Sequence, residues 1–93
     1  ALSMGALGLV LVSRKEAFWA RPPAVAARTP VGVGDALLAG MIWAMARDLS
    51  LAEVARWGVA AGSAAAMLEG VGVASMEEIQ AMVKTINVEN LLS

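Results

Sequence analysis

Apolar positions along this chain come in runs of changing period. Leu7–Ser13 (LGLVLVS) is a short apolar run rich in β-forming residues, and it ends at the charged turn Arg14-Lys15-Glu16. Ala17–Arg21 reads as the returning strand, so the two predict a hairpin. Pro22-Pro23 stops that strand, because proline has no N–H to give and holds the residue before it extended. Ala24–Arg28 reads as a third extended segment. From Pro30 the pattern becomes helical. Asp35–Arg47 predicts a helix that is apolar on most faces, opened by the turn Pro30-Val31-Gly32-Val33-Gly34. Ser50-Leu51-Ala52-Glu53 has the form of a capping box, in which the serine hydroxyl accepts from the amide three residues on and the glutamate reaches back. It predicts a second helix to about Leu68, broken by Gly70-Val71-Gly72. Ser75-Met76-Glu77-Glu78 repeats the pattern and predicts a third helix to about Ile86. The polar tail Asn87–Ser93 is expected to fray.

Composition changes this picture in one respect. The chain has 93 residues, of which 59% are hydrophobic, and its mean hydropathy is +0.71. So small a globule exposes much of its surface and should be more polar than that. The uncharged stretches Ala1–Ser13, Ala36–Ala46 and Trp57–Leu68 each fall short of the roughly 18 apolar residues of a spanning helix. No basic region precedes the first apolar run, so it does not read as a signal peptide. The expectation is a piece of a larger α/β core, cytoplasmic and without a membrane partner. Seven basic and eight acidic residues give a net charge of −1 with no basic patch, which argues against nucleic acid. With no Cys and no His, thiolate nucleophiles, imidazole bases and the usual transition-metal sites are excluded. Catalysis would have to rest on carboxylates, backbone amides and bound ions.

Gly32-Val33-Gly34-Asp35 is the segment with that chemistry. Glycines ahead of a helix let backbone approach a ligand closely, and the first free amides of the helix favour an anion there. A carboxylate at the same place either caps those amides or takes a proton from an attacking hydroxyl. The residues alone leave both readings open. Arg21, Arg28 and Arg47 read as solvated side chains, Met67, Met76 and Met82 as core filler, and Trp43 and Trp57 as packing anchors.

The longer segment Thr29-Pro30-Val31-Gly32-Val33-Gly34-Asp35-Ala36-Leu37-Leu38-Ala39-Gly40 resembles the second signature of the PfkB (ribokinase-like) carbohydrate kinases, D-T-x-G-A-G-D-x-x-x-A-G. Ser3-Met4-Gly5-Ala6-Leu7-Gly8 resembles that family's S-x-G-x-x-G turn, and Val59-Ala60-Ala61-Gly62-Ser63-Ala64-Ala65 its helix beside the adenine. The match is closest to the branch of the minor 6-phosphofructokinase, 1-phosphofructokinase and tagatose-6-phosphate kinase. The resemblance implies an α/β chain: the C-terminal part, about the last third, of a ribokinase-like sandwich, here a short β-hairpin and extended segment followed by three helices. It implies transfer of the γ-phosphate of MgATP to a sugar hydroxyl, on a hexose of the fructose 6-phosphate, fructose 1-phosphate or tagatose 6-phosphate type. Asp35 would be the base, and Gly32, Val33 and Gly34 the anion hole. Ser3, Gly5, Gly8, Val59 and Ser63 would line the nucleotide site. Thr29, Val31, Ala65, Leu68, Gly70 and Gly72 would hold a monovalent cation such as K+. Three positions depart from the family pattern: Val33 replaces Ala or Ser, Thr29 replaces Asp, Asn or Ser, and Leu68 stands where Asn is common.

The family's N-terminal glycine pair, sugar-binding residues, lid strands and N-x-x-E segment do not occur here, so these residues alone are expected to be inactive. A second reading stays open: an inactive fragment or assembly module that associates, as a homo-oligomer, through exposed apolar faces.

Overall fold

The structure is a computed structural model and describes residues 2–3, 8–22, 33–66 and 74–92. The elements run β1 (Leu2–Ser3), β2 (Leu9–Val12), β3 (Ala17–Arg21), α1 (Val33–Ala46), α2 (Leu51–Ala66), α3 (Met76–Val83) and β4 (Asn87–Asn90). The strands form one antiparallel sheet in the order β1-β2-β3-β4.

The expected hairpin is β2–β3, with Leu9 opposite Ala20 and Val12 opposite Ala17. Its turn is closed by Ser13 N–H donating to the Glu16 carbonyl at 2.8 Å and by Glu16 N–H donating to the Ser13 hydroxyl at 3.2 Å. Two features of the sheet correct the sequence reading. The tail does not fray, because Asn87–Asn90 pairs with β3 from Phe18↔Asn90 to Arg21↔Asn87. Its one inward apolar side chain, Val88, lies level with Ala20 and packs on the core. Ser3 belongs to a strand paired with Leu9, where a turn residue was expected. The Ala24–Arg28 segment lies outside the described residues.

Leu9 and Leu11 of β2 and Phe18 and Ala20 of β3 are buried with the period of two of a strand, and Ala17 at the turn end of β3 is buried as well. Leu9, Leu11 and Ala20 share a core with Val54, Ala55, Val59 and Ala60 of α2, and with Ile86. The small residues along α2 let it lie close to the sheet on one side and to α1 on the other. Gly58 shows how close: a Cβ there would stand 2.6 Å from Met41 Cγ and 3.6 Å from Leu9 Cδ2. Gly40 is the reciprocal point on α1, where a Cβ would be 2.6 Å from the Trp57 carbonyl oxygen and 2.8 Å from Ala61 Cβ. Trp43 and Trp57 lock the same contact, with ring centroids 4.4 Å apart and planes tilted by 35°. The Arg47 guanidinium lies 3.9 Å over the outer Trp43 ring. Arg47 is thus exposed but not merely solvated, and Arg21 is half-buried, stacking on Trp19 at 4.8 Å and approaching Glu89 at 3.8 Å.

Helix ends follow local chemistry. α1 stops in a Schellman arrangement: Leu49 N–H donates to the Ala44 carbonyl at 3.2 Å and Asp48 N–H to the Met45 carbonyl at 3.0 Å, with Asp48 at φ 55°. Only half of the first expected capping box forms. Ser50 Oγ accepts from Glu53 N–H at 3.3 Å, but the Glu53 carboxylate turns to Arg56. The second is complete, with Glu78 N–H to Ser75 Oγ at 3.1 Å and Ser75 N–H to Glu78 Oε1 at 2.9 Å. α3 ends at Val83, short of Ile86. It packs Ile79, Met82 and Val83 on the core, whereas Met76, read as filler, is exposed. Met67 lies outside the described residues.

Gly40→Ala should loosen the α1–α2 contact and cost about 1–3 kcal/mol by overpacking, read from urea unfolding. The Ser75 backbone N–H, and then the Ser75 side chain, hold the Glu78 carboxyl below the usual 4.5. A depressed folded-state pKa contributes stability at pH above the unfolded value, and that contribution is lost as pH falls through the folded one. Acidification should therefore weaken the α3 cap, and Glu78→Gln should flatten this dependence in an NMR-monitored acid titration.

Candidate functional site

α1 begins at Val33, so Gly34 and Asp35 occupy its first turn. The amides of that turn have no carbonyl partner within the helix, and the helix dipole is positive there. Both residues are exposed. Gly34 is the informative one. It has no positive φ, and no described atom lies within 4 Å of the place a Cβ would take. Glycine in a helix costs roughly 0.5–1 kcal/mol relative to alanine. Neither crowding nor backbone geometry in the described structure requires glycine at this position. Gly40, six residues on in the same signature, is the opposite case, since the α1–α2 contact fully accounts for it.

Residues 47–50 link α1 to α2, and the helices run back on one another. Trp43 meets Trp57 near the link, and further from it Gly40 meets Ala61. The first turn of α1 therefore lies at the same end of this helical hairpin as Ser63 and Ala65 in the last turns of α2. Ser63 is buried at 6% exposure, and Ala65 is half-buried. Val59 is in the core, so its side chain packs between α2 and the sheet. Gly8 is buried with φ 103°, and a Cβ there would stand 2.0 Å from the Ala20 carbonyl oxygen. The close pass of β3 is reason enough for that glycine. Ser3 lies in β1. Gly5, Thr29, Val31, Gly32, Leu68, Gly70 and Gly72 fall outside the described residues.

Among the described residues no three His, Cys, Asp or Glu side chains gather to hold a metal ion, and no helix is long and apolar enough to cross a membrane. What the described residues offer is a helix N-terminus with one exposed carboxylate, Asp35, in its first turn. Such an end can hold an anion against backbone amides while the carboxylate accepts a proton beside it.

The family model described as pfkB family carbohydrate kinase matches residues 1–79. This chain belongs to the PfkB family of carbohydrate kinases. It is 42% identical over 91 residues to 1-phosphofructokinase of Rhodobacter capsulatus, covering 98% of this chain and 29% of that protein. It is 35% identical over 79 residues to ATP-dependent 6-phosphofructokinase isozyme 2 of Escherichia coli K12, covering 85% of this chain and 26% of the relative. The crystal structure of phosphofructokinase-2 from Escherichia coli in complex with potassium matches with a TM-score of 0.84 at 34% identity, covering 89% of this chain and 27% of that one. The chain thus spans less than a third of the relatives it matches. Within the PfkB family, the ribokinase-like α/β architecture is as expected.

Sequence reasoning paired Gly34 with its neighbours as one motif and did not separate it from Gly40. Spacing does not separate them, since Gly34 and Gly40 each lie three residues from Leu37; contact does, because Gly40 meets Trp57 and Ala61 of α2 and no described group beyond its own stretch of helix lies near Gly34. In this chain the segment accordingly carries one glycine packed against α2 and one with room around it among the described residues. Gly34→Ala should leave thermal stability unchanged or raise it by up to about 1 kcal/mol. Binding of inorganic phosphate to the first turn of α1, followed by amide chemical shifts, should weaken in the same variant.

Proposed function

We propose that this chain supplies the phosphoryl-transfer corner of a sugar-phosphate kinase. The free first-turn amides of α1 receive the γ-phosphate of ATP, and Asp35 takes the proton of the attacking hydroxyl. The observation that carries this reading is Gly34: a helical glycine with open space around it among the described residues, beside an exposed carboxylate. It is the arrangement that close backbone approach to a phosphate requires. Phosphoryl transfer asks chiefly for positioning and charge stabilisation, and backbone amides provide both without titrating.

MgATP fits this corner in part. The amides at Val33, Gly34 and Asp35 would face the transferring group, with Gly32 completing the cradle. Magnesium, which commonly binds through nucleotide phosphates and few protein carboxylates, supplies charge neutralisation when it is bound. Ser63, at the neighbouring end of α2, and Val59, one turn further toward the middle of that helix, would back the nucleotide from within the core, and Ser3, Gly5 and Gly8 would complete the nucleotide site. The complex of the Escherichia coli neighbour with potassium supports a monovalent cation as part of this reading, and Ala65 is the described residue that would border it. Names of the relatives favour a fructose phosphate as acceptor. On this reading the parent enzyme works in the cytoplasm, where ATP and sugar phosphates are its substrates.

The test is a chimera in which this chain replaces its matching segment in the Rhodobacter capsulatus 1-phosphofructokinase. It should phosphorylate fructose 1-phosphate. Asp35→Asn in that chimera should lower kcat about 10²–10⁴-fold with little change in KM or melting temperature. An Asp35→Asn chimera that turns over at the parent rate would rule the assigned base out.

A further inference from the structure

Gly58 lies where the sheet, α2 and α1 meet. A Cβ on it would stand 2.6 Å from Met41 Cγ and 3.3 Å from the Leu37 carbonyl oxygen, both on α1, and 3.6 Å from Leu9 Cδ2 on β2. These contacts differ in how they could be relieved. The Leu9 methyl is at ordinary contact distance, and Leu9 is only 1% exposed, so the space on the sheet side is already filled. On the other side an added methyl would overlap Met41 and press on a main-chain carbonyl, which cannot swing aside as a side chain can. A core packed at this density does not absorb an extra carbon locally. Because α2 has no room to retreat toward the sheet, the group that must give way is α1.

The places of these contacts in the chain give them meaning. Leu9 directly follows Gly8, the last glycine of the S-x-G-x-x-G turn, and Leu37 comes two residues after Asp35. Gly34 and Asp35 are exposed, and Leu37 is the first residue of α1 that packs on the core among the described residues. Gly58 therefore stands between the strand that follows the nucleotide turn and the helix that carries the carboxylate. It lies outside the Thr29–Gly40 segment, and it has no side chain with which to touch a substrate. Glycine in the middle of a helix otherwise weakens it relative to alanine.

We propose that Gly58 is a positioning residue for phosphoryl transfer. By keeping α1 at backbone distance from α2, it sets the separation between the Gly8 turn and Asp35, and with it the alignment of the bound nucleotide with the base. The inference deepens the proposed function and rests on its assignment of Gly8 and Asp35. In-line transfer depends on such alignment, and a misplacement of about 1 Å can cost roughly 100-fold in rate.

Gly58→Ala in the Rhodobacter capsulatus chimera should lower kcat about 10- to 100-fold, with KM for ATP and fructose 1-phosphate within about threefold of the parent, since binding survives and only alignment is lost. Val54→Ala is the stability control. Val54 is 4% exposed and lies one turn earlier on α2, so its truncation loosens the same core without adding an atom toward α1. It should lower the melting temperature and leave kcat within about threefold of the parent. Met41→Ala removes the nearest obstructing atom, so adding it to Gly58→Ala should restore most of the lost kcat. In the 93-residue chain, amide residual dipolar couplings report the direction of α1 relative to β2 and β3. They should change along α1 in Gly58→Ala and stay as in the parent in Val54→Ala. A folded Gly58→Ala chimera with parental kcat would overturn the proposal. So would a loss of kcat with α1 unmoved, or an equal loss in Val54→Ala. An unsubstituted chimera that transfers no phosphate would count against the proposed function instead. The dipolar couplings then judge Gly58 alone, and unchanged values along α1 would overturn its positioning role.

Discussion

The close approach of α1 to α2 is the contact on which the rest of the arrangement depends. Two glycines, Gly40 and Gly58, remove the side chains that would hold the helices apart, and the tilted pair Trp43–Trp57 fixes their relative position. α2 in turn lies on the hairpin through Leu9 and Val59. The first turn of α1 stands at the far end of that contact, beside the last turns of α2. Its position relative to the sheet is inherited through this one chain of contacts. A change at Gly40 would therefore be felt at Asp35 without touching it.

That dependence explains an apparent mismatch between composition and burial. A chain this apolar would be expected to fill its interior with large side chains, yet the buried residues of α2 are mostly alanine, glycine and valine. Small side chains bury little area each, but they bring backbones close. The larger apolar groups, Leu38, Ile42 and Met45, lie on the outer face of α1 instead. The hydrophobicity that composition reported is thus divided. Part closes the three-layer contact of sheet, α2 and α1, and part waits on the surface.

Legibility followed the range of the interactions involved. The β2–β3 hairpin, the Ser75–Glu78 capping box and the three helices rest on contacts within a few residues, and each was readable from spacing. The β4 strand was not. Asn87-Val88-Glu89-Asn90 carries one apolar residue and no strong β signal, and it becomes a strand only because β3 offers a free edge from Arg21 to Phe18. The half-formed box at Ser50 failed for a related reason. Arg56, one turn further on, competes for the Glu53 carboxylate.

For the site, the sequence by itself determined the motif: which glycines, which carboxylate, and that they open a helix. Those are matters of residue type and order, and no fold is needed to read them. Only the tertiary structure decided what each glycine is for. Gly40 and Gly8 are explained by neighbours that would lie inside van der Waals contact of a Cβ, and Gly34 is set apart by the lack of any such neighbour among the described residues. Distances between backbones distant in sequence are set by packing, and a sequence carries them only implicitly. For the same reason the uncovered side of α1 could be read as apolar from the sequence, but which side faces water was settled when α2 took the other.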